Sequence, residues 1–327
     1  MTPKPTRHVQ EPCILAQTRD HGGGLDAAIA QYGGRRSDWI DLSTGINPAP
    51  YPLPNLSQTD WTALPDRAAS DRLIAAARTA WNVPVGAAIL ATPGASAAIA
   101  QIPRLAPKGT VHIPSPTYNE HAASFANAGW TVTNSDPTAA AQVLVHPNNP
   151  DGRHWSAGDL TAPLQVIDES FCDVTPDASL IAHADRPGTL ILKSFGKFWG
   201  LAGIRLGFVI GDPALIARLS DMLGPWPVSG IALNIGATAL EDQAWAQQTR
   251  ASLTQDADRL DTLMQARGAQ LVGGTTLFRL YDVGDAGVWH TRLARAHIWS
   301  RVFPYSSTWL RLGLPPGHAW DRLGGAL

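Results

Sequence analysis

The chain has 327 residues, of which 44% are hydrophobic and 16% charged, with a formal net charge of −2 at pH 7. This length accommodates one large domain with a smaller one, and the apolar fraction is sufficient for a sizeable core. The balanced charge argues against a basic surface for nucleic acid and against a Lys/Arg-rich membrane surface.

The same composition excludes several other classes of protein. No apolar run is long enough to cross a membrane, and the polar start of the chain has no signal-peptide core, so we expect a soluble cytoplasmic protein with no membrane partner. Two cysteines, Cys13 and Cys172, are too few for a disulfide framework, and their spacing suits no zinc site. The ten histidines are scattered, and no metal is predicted.

The N-terminal region is predicted to form an arm that precedes the main domain. His21-Gly22-Gly23-Gly24 comes before a helix over 25–32. These glycines either allow the backbone to approach a ligand closely or form only a flexible turn, and the residues alone do not decide. A strand near Ile40 leads into Ser43-Thr44-Gly45-Ile46-Asn47-Pro48, and alternating prolines make the next stretch extended.

From about residue 87 onwards, predicted strands alternate with helices. The strands cover 87–91, 110–114, 130–133, 142–146, 164–168, 189–192 and 204–210, and the helices include 71–81, 97–105 and a segment that ends near 128. This alternation is typical of an α/β domain with a mostly parallel sheet. Ligands bind beyond the carboxyl ends of such strands, where the sequence has Ser96, Tyr118, Asn149, Asp168 and Ser194.

The prolines at 225 and 227 interrupt this pattern and indicate a domain boundary. A long helical region over 231–267 follows, then a strand over 276–281, a helix that ends near 296, and the segment 298–314. We predict an N-terminal arm over 1–40, a large α/β domain over 41–227 and a smaller C-terminal α+β domain over 228–327.

The segment from Ser194 to Arg205 indicates chemistry most directly. Lys197 lies in a glycine-rich turn between two apolar runs, with a hydroxyl before it and a guanidinium after it. These groups suit a phosphate that is held beside an amine, although most loop lysines are only solvated charges. A nucleotide-binding P-loop is excluded, because Phe198 follows Gly196-Lys197 where Ser or Thr is required.

Two other motifs allow an ordinary and a functional interpretation. Asp168 and Glu169 follow a predicted strand, which is common at a sheet edge, and a nucleotide-hydrolase magnesium site would need a phosphate loop that this sequence lacks. The segment from Pro147 to Gly152 contains Asn148-Asn149-Pro150 and is typical of a turn with Asp-Gly at its tip.

In combination, Ser194-x-x-Lys197, Gly203-x-Arg205-Leu206-Gly207, Asp168 and the Asn-Asn-Pro-x-Gly pattern resemble the fold-type I pyridoxal phosphate enzymes, the aspartate aminotransferase superfamily. The resemblance implies that fold, with pyridoxal 5'-phosphate attached to Lys197. It also implies that Asp168 pairs with the pyridine nitrogen, Asn149 bonds the ring hydroxyl and Tyr118 stacks on the ring. The cofactor phosphate would be held by Gly94, Ala95, Ser96, Ser194 and Arg205.

Further segments look like the threonine-phosphate decarboxylases of cobalamin synthesis, and this likeness covers nearly the whole chain. They are His21-Gly22-Gly23, Ser43 to Pro48, Asp168 to Phe171 and Pro225 to Val228. The resemblance implies a homodimer that decarboxylates L-threonine O-3-phosphate. It also implies a set of substrate-binding residues: His21, Gly22, Asn47, Asn149, Arg301 and Arg311. Which arginine takes which anion stays open.

Three positions depart from the patterns of related enzymes. Phe171 stands where aminotransferases commonly have a tyrosine, which favours decarboxylation. Gly45 replaces an asparagine of a related motif, and Leu64-Pro65 replaces a Tyr-Pro whose tyrosine reaches the partner's cofactor phosphate. The alternatives are an aminotransferase for a phosphorylated amino acid such as histidinol phosphate, and a non-catalytic protein of the same fold. Retention of Lys197 and Asp168 argues against the second alternative.

Overall fold

The computed structural model describes residue 19 and residues 21–136 and 138–327. Its α-helices are α1 (Leu25–Tyr32), α2 (Gln58–Thr62), α3 (Arg67–Ala80), α4 (Ala95–Gln101), α5 (Asn119–Asn127), α6 (Pro213–Leu223), α7 (Gly230–Glu241), α8 (Gln243–Gln265), α9 (Ala286–Arg295) and α10 (Trp320–Ala326). Its strands are β1 (Ile40–Asp41), β2 (Ala88–Thr92), β3 (Thr110–His112), β4 (Thr131–Thr133), β5 (Ala141–Val145), β6 (Leu164–Asp168), β7 (Thr189–Ser194), β8 (Gly207–Gly211), β9 (Gln270–Thr275), β10 (Phe278–Asp282), β11 (Ile298–Trp299), β12 (Arg301–Phe303) and β13 (Ser306–Gly313).

The large sheet has seven strands in the order β2-β8-β7-β6-β5-β3-β4. Strands β3 to β7 pair in parallel, whereas β8 runs antiparallel to both β7 and β2. The apolar runs of β5 and β8 are buried throughout, as expected for strands with both faces covered. This sheet confirms the predicted α/β class and brings the ends of β6 and β7 side by side.

The strand that the sequence predicts over 204–210 begins only at Gly207. Residues 202–204 form a 3₁₀ turn, and Arg205 follows with a left-handed φ of 54°. Arg205 therefore leaves the turn just before the strand starts, at the same edge of the sheet as the end of β7. The left-handed backbone at Arg205 determines the position of this arginine, and the apolar pattern of the sequence did not indicate it.

The predicted helical region over 231–267 is two helices, α7 and α8, that are separated at Asp242. The Asp242 carboxylate accepts a hydrogen bond of 2.9 Å from the backbone N–H of Trp245 and caps α8. Strand β9 and helix α6 were absent from the prediction. The sequence of β9, Gln-Leu-Val-Gly-Gly-Thr, has no alternation of apolar and polar residues, and its residues 270–272 are all exposed.

A second, antiparallel sheet has the order β12-β13-β10-β9 and lies in the C-terminal part of the chain. Strand β1 pairs in parallel with β11, with Ile40 opposite Ile298, so the segment after the N-terminal arm joins this part. The edge strand β9 also contacts the Asn-Pro turn, because Gly274 N–H donates to the Asp151 carbonyl at 2.9 Å. No helix among the described residues is long and apolar enough to span a membrane.

Candidate active site

One cavity of about 300 Å³ gathers half of the residues that the sequence singled out for a site. It is lined by His21, Gly22, Thr44, Thr117, Tyr118, Asn119, Asn149, Lys197, Arg301, Phe303, Pro304, Tyr305 and Arg311. These residues come from the N-terminal arm, the carboxyl edge of the large sheet and the β12–β13 hairpin. Residues far apart in sequence therefore meet where ligands bind in open α/β sheets.

Lys197 lies in the turn after β7, and a neighbouring turn holds it on two sides. Its Nζ donates to the Thr44 carbonyl at 3.1 Å, and its own carbonyl accepts from the Asn47 N–H at 3.0 Å. The Nζ also lies 5.2 Å from the centre of the Phe171 ring. The Ser-Thr-Gly-Ile-Asn-Pro segment thus orients the lysine amine within the cavity.

Burial and two guanidinium groups lower the pKa of Lys197 from 10.5 to about 8. Burial disfavours the charged ammonium, and the Arg311 and Arg205 guanidinium groups repel it, while Asp168 and Asp41 offset part of the decrease. Above a pH of about 8 the amine is therefore mostly neutral and nucleophilic. A lysine whose amine is neutral near this pH is suited to covalent attachment to a carbonyl group.

We predict that the amine of Lys197 in the apoprotein reacts with trace acetic anhydride along a pH curve whose midpoint is about 8. The sign follows from the lowered pKa, because labelling requires the neutral amine and increases as pH rises through that value. Peptide mass spectrometry measures the curve, and the peptide that carries the exposed Lys108 provides the reference. A midpoint near the ordinary lysine value would contradict the assigned environment.

Asp168 ends β6 as a carboxylate that is only 2% exposed. Its Oδ2 lies 2.7 Å from His121 Nε2, and its Oδ1 accepts from the Ser170 N–H at 3.0 Å. Burial alone raises the pKa of Asp168, but the hydrogen bonds and charge of these neighbours outweigh it and hold the pKa below its usual value. The carboxylate therefore stays ionised in a place without water contact.

His121 is a site residue that the sequence interpretation missed. It lies in α5, one helical turn after Tyr118, and the two ring centres are 5.9 Å apart. Burial and the charge of Asp168 raise the pKa of Tyr118 to about 12, so the phenol keeps its proton. The spacing of Tyr118 and His121 was the available signal, because residues at i and i+3 share a helix face.

The region around Gly94 and the start of α4 has the features of an anion-binding site. The Arg205 guanidinium packs so closely on Gly94 that a Cβ there would lie 2.5 Å from Nη2. Gly207 packs on the Ala95 N–H, at the start of α4, and pairs with Ser194 in the sheet. The predicted phosphate-binding residues, Ser96 included, thus come from the α4 start and the strand ends beside it.

Arg301 and Arg311 are direct cross-strand partners in the β12–β13 hairpin. The residues between the two arginines do not form a long loop, because only Pro304 and Tyr305 lie between the two strands. Opposite residues of an antiparallel pair share one face of the sheet. The register therefore directs both guanidinium groups to the cavity that they line.

Arg311 connects three parts of the site. It is 4% exposed, and its guanidinium donates to the Asn149 side-chain oxygen and to the Ser43 carbonyl. Its Cζ also lies 5.1 Å from the centre of the Phe278 ring. These contacts hold Arg311, Asn149 and the Ser43 turn in one fixed arrangement.

The departure at Gly45 has a packing explanation. Gly45 has a φ of +64°, and a Cβ there would lie 3.2 Å from Phe278 and 3.3 Å from Phe171. These two rings contact each other edge to face, with centres 4.9 Å apart. An asparagine at this position would press its Cβ against the aromatic pair and would need a left-handed backbone, so the absence of a side chain at Gly45 suits the packing of Phe171.

Asn47 and Leu64 have different surroundings from the cavity residues. Asn47 is buried, and its side chain donates to the Phe198 carbonyl and accepts from the Ala49 N–H, both at 2.9 Å. The Asn47 side chain thus links its own turn to the segment that carries Lys197. Leu64 is 66% exposed, on the outer surface.

One group of potential metal ligands, His146, Glu169 and Cys172, comes together in the described part of the chain, although their spacing gave no sign of it. Glu169 already pairs with the buried Lys193 at 2.7 Å. Both ring nitrogens of His146 contact backbone groups, at 2.7 Å and 3.0 Å. These atoms are therefore engaged in the internal network of the protein.

Comparisons with known proteins agree with this geometry. The sequence model "Aminotransferase class I and II" matches residues 53–323. A threonine-phosphate decarboxylase of a Sinorhizobium species is 41% identical, over 92% of this chain and 95% of its own. Another from Pseudomonas aeruginosa is 39% identical, over 94% and 97%. A histidinol-phosphate aminotransferase from Sinorhizobium meliloti, solved in complex with pyridoxal-5'-phosphate, shares the fold with a TM-score of 0.77 at 20% identity, covering 93% of each chain.

Proposed function

Because this chain belongs to the class I and II aminotransferase family, and within it to the threonine-phosphate decarboxylases, we propose that it converts L-threonine O-3-phosphate to (R)-1-aminopropan-2-ol O-phosphate and CO2. This reaction would serve cobalamin synthesis, as the family resemblance implies. The cofactor is pyridoxal 5'-phosphate, which when bound supplies an electron sink for the bond that breaks at the substrate Cα.

The residues in and beside the cavity suit this cofactor. Lys197 presents an amine of lowered pKa, Asp168 a buried ionised carboxylate, and Arg205 a guanidinium pressed on the glycine before α4. We assign Lys197 to covalent attachment, Asp168 to the pyridine nitrogen and Arg205 to the phosphate. Tyr118 and Asn149, which line the same cavity, are assigned to the ring.

The observation that carries the substrate assignment is the register of Arg301 and Arg311. The two arginines lie directly opposite each other in the sheet and line the same cavity, so two positive charges stand side by side at its wall. A ligand with two anionic groups can pair with both of them. Phosphothreonine has a phosphate and a carboxylate, and guanidinium groups bind both kinds of anion well.

These contacts also explain the choice of reaction. A clamp that fixes both anions decides which bond at Cα stands perpendicular to the cofactor ring, and only that bond can transfer its electrons. Phe171, in contact with Phe278, lies 5.2 Å from Lys197 Nζ and offers no hydroxyl there. We infer that the cavity orients the carboxylate for loss as CO2.

Product analysis tests this assignment. The holoenzyme is incubated with L-threonine O-3-phosphate, with and without a keto acid, and both CO2 and amino products are measured. We expect CO2 and aminopropanol phosphate in equal amounts, independent of the keto acid. Transfer of the amino group to the keto acid without CO2 would identify an aminotransferase, and no reaction with either would identify a non-catalytic member.

We also propose that the protein is a homodimer, the commonest closed assembly of soluble proteins. Large apolar side chains are exposed at Trp61, Leu64 and Trp226, by 65%, 66% and 57%. Trp226 also lines a groove of about 410 Å³ together with Pro65. Large exposed apolar side chains that lie near one another mark interaction surfaces.

Replacing Leu64 by glutamate is expected to convert the dimer to monomers, because a buried charge at an apolar interface is strongly unfavourable. Light scattering gives the mass of the wild type and of the variant at equal concentrations. Val288→Glu, which changes another exposed apolar residue on α9, is the matched control and should remain dimeric. A monomeric, fully active wild type would contradict the assembly.

A further inference from the structure

A single carboxylate beside the cavity holds two residues of the N-terminal arm. Glu120 lies in the first turn of α5, and its Oε2 is 2.6 Å from Arg19 Nη1. Its Oε1 is 2.9 Å from His21 Nε2. We call these three residues the arm clasp. The Glu120 side chain is 21% exposed, whereas its two partners are each more than 40% exposed.

The contact with His21 is close but is not aligned as a hydrogen bond. Across the described residues, Glu120 Oε1 is buried without a hydrogen-bond partner, although the His21 ring nitrogen lies 2.9 Å away. A carboxylate removed from water requires nearby positive charge. The guanidinium of Arg19 supplies that charge at the other oxygen, so Glu120 ties both arm residues to α5.

The backbone after His21 is fixed from the opposite side. The Gly23 N–H donates to Ser43 Oγ at 2.6 Å, and the Trp299 indole donates to the Gly23 carbonyl at 2.8 Å. Gly22 lies so close to Ser43 that a Cβ would be 2.4 Å from its carbonyl oxygen. These bonds fix the path of the main chain but leave the His21 ring to be oriented by Glu120.

We propose that Glu120 is a positioning residue that orients His21 toward the phosphate of the substrate. The inference rests on the proposed function, because the family resemblance places His21 among the substrate-binding residues. The clasp holds the imidazole at the wall of the cavity, where an incoming substrate meets it.

The position of Glu120 in α5 adds a connection to the cofactor side. The same first turn of the helix carries His121, which pairs with Asp168 at 2.7 Å, and follows Tyr118, which lines the cavity. The Tyr118 and His21 ring centres are 6.2 Å apart. One helix start thus orients the residues assigned to the cofactor and the residue assigned to the substrate phosphate.

Glu120→Gln tests the clasp because it keeps the shape of the side chain and removes its charge. In the holoenzyme we expect the KM for phosphothreonine to rise about 10-fold, with kcat unchanged to within about two-fold. The Kd for inorganic phosphate, from titration calorimetry, should rise by a similar factor. The melting temperature and the cofactor absorbance should stay at wild-type values, which a merely structural role would not allow.

Asp26→Asn is the matched control. Asp26 is an exposed carboxylate on α1, and its partner Arg36 lies 3.6 Å away in an exposed ion pair. Such a pair contributes little, so this variant should match the wild type in both measurements. His21→Asn should raise the same two constants, and combining it with Glu120→Gln should add little, because the two residues act together.

The results separate this proposal from the proposed function. A wild type that binds inorganic phosphate more tightly than Glu120→Gln, yet releases no CO2 from phosphothreonine, would support the clasp and refute the reaction. Equal phosphate affinity in the wild type and Glu120→Gln, or additive effects in the double variant, would overturn the clasp. A lower kcat or melting temperature with unchanged KM would also overturn it, in favour of a structural role.

Discussion

Replacing Lys197 by alanine is expected to lower CO2 release at least about 1,000-fold and to leave the protein folded. The loss follows because Lys197 supplies the amine assigned to cofactor attachment. The fold should survive because the Nζ makes one backbone bond, to Thr44, and the removed charge lies at a cavity wall. Removal of the Lys197 charge also removes its electrostatic repulsion by the Arg311 guanidinium.

The attachment itself is measured directly. The purified wild type should be yellow, and borohydride should fix the cofactor on the peptide that contains Lys197. Two other lysines serve as internal controls. Lys193 is buried in an ion pair with Glu169, and Lys108 is exposed. Lys108→Ala should keep full activity. A label on either of these lysines, or an active Lys197→Ala variant, would refute the assigned role.

Replacing Arg311 by alanine should reduce kcat/KM for phosphothreonine more than any other change in the clamp. A charge-assisted contact contributes about 1.5–3 kcal/mol, or roughly 10- to 150-fold. Arg311 is also buried, and its loss leaves the Asn149 oxygen and the Ser43 carbonyl without their donor. We expect a decrease of about 100-fold or more, because a buried acceptor left unpaired adds its own cost.

The ratio of products distinguishes orientation from simple binding. If Arg311 or Arg301 orients the carboxylate, its removal should increase amino transfer to the cofactor relative to CO2 release. Both products are measured for the wild type, for Arg301→Ala and for Arg311→Ala. Arg295→Ala, at an exposed position of α9, is the control and should behave as the wild type. Unchanged products and rates in both clamp variants would show that neither arginine holds the substrate.

Arg311→Lys gives a sharper result for the same residue. Lysine keeps the charge but cannot donate to Asn149 and Ser43 in the fixed geometry of a planar guanidinium. We expect it to restore less than about one tenth of the lost activity. Full activity would mean that only the charge matters and that the two hydrogen bonds do not position the substrate.

Local patterns in the sequence were sufficient for the α/β class, and they are the basis of most of the proposed site residues. Apolar runs bounded by turn residues predict strands, because each run must be buried in a sheet. Strand β6 and helix α1 have the predicted bounds. Lys197 and Asp168 were recognisable because short motifs place a functional group directly after a strand, where the chain itself fixes the position.

Tertiary structure alone decided how those residues meet. The register of Arg301 with Arg311, the pairing of His121 with Asp168 and the contact of Glu120 with Arg19 all join different elements. The break at Asp242 and the small space at Gly45 also depend on neighbours that are distant in sequence. Such contacts form only when the packed core fixes the elements relative to one another, and no local pattern of residues encodes that arrangement.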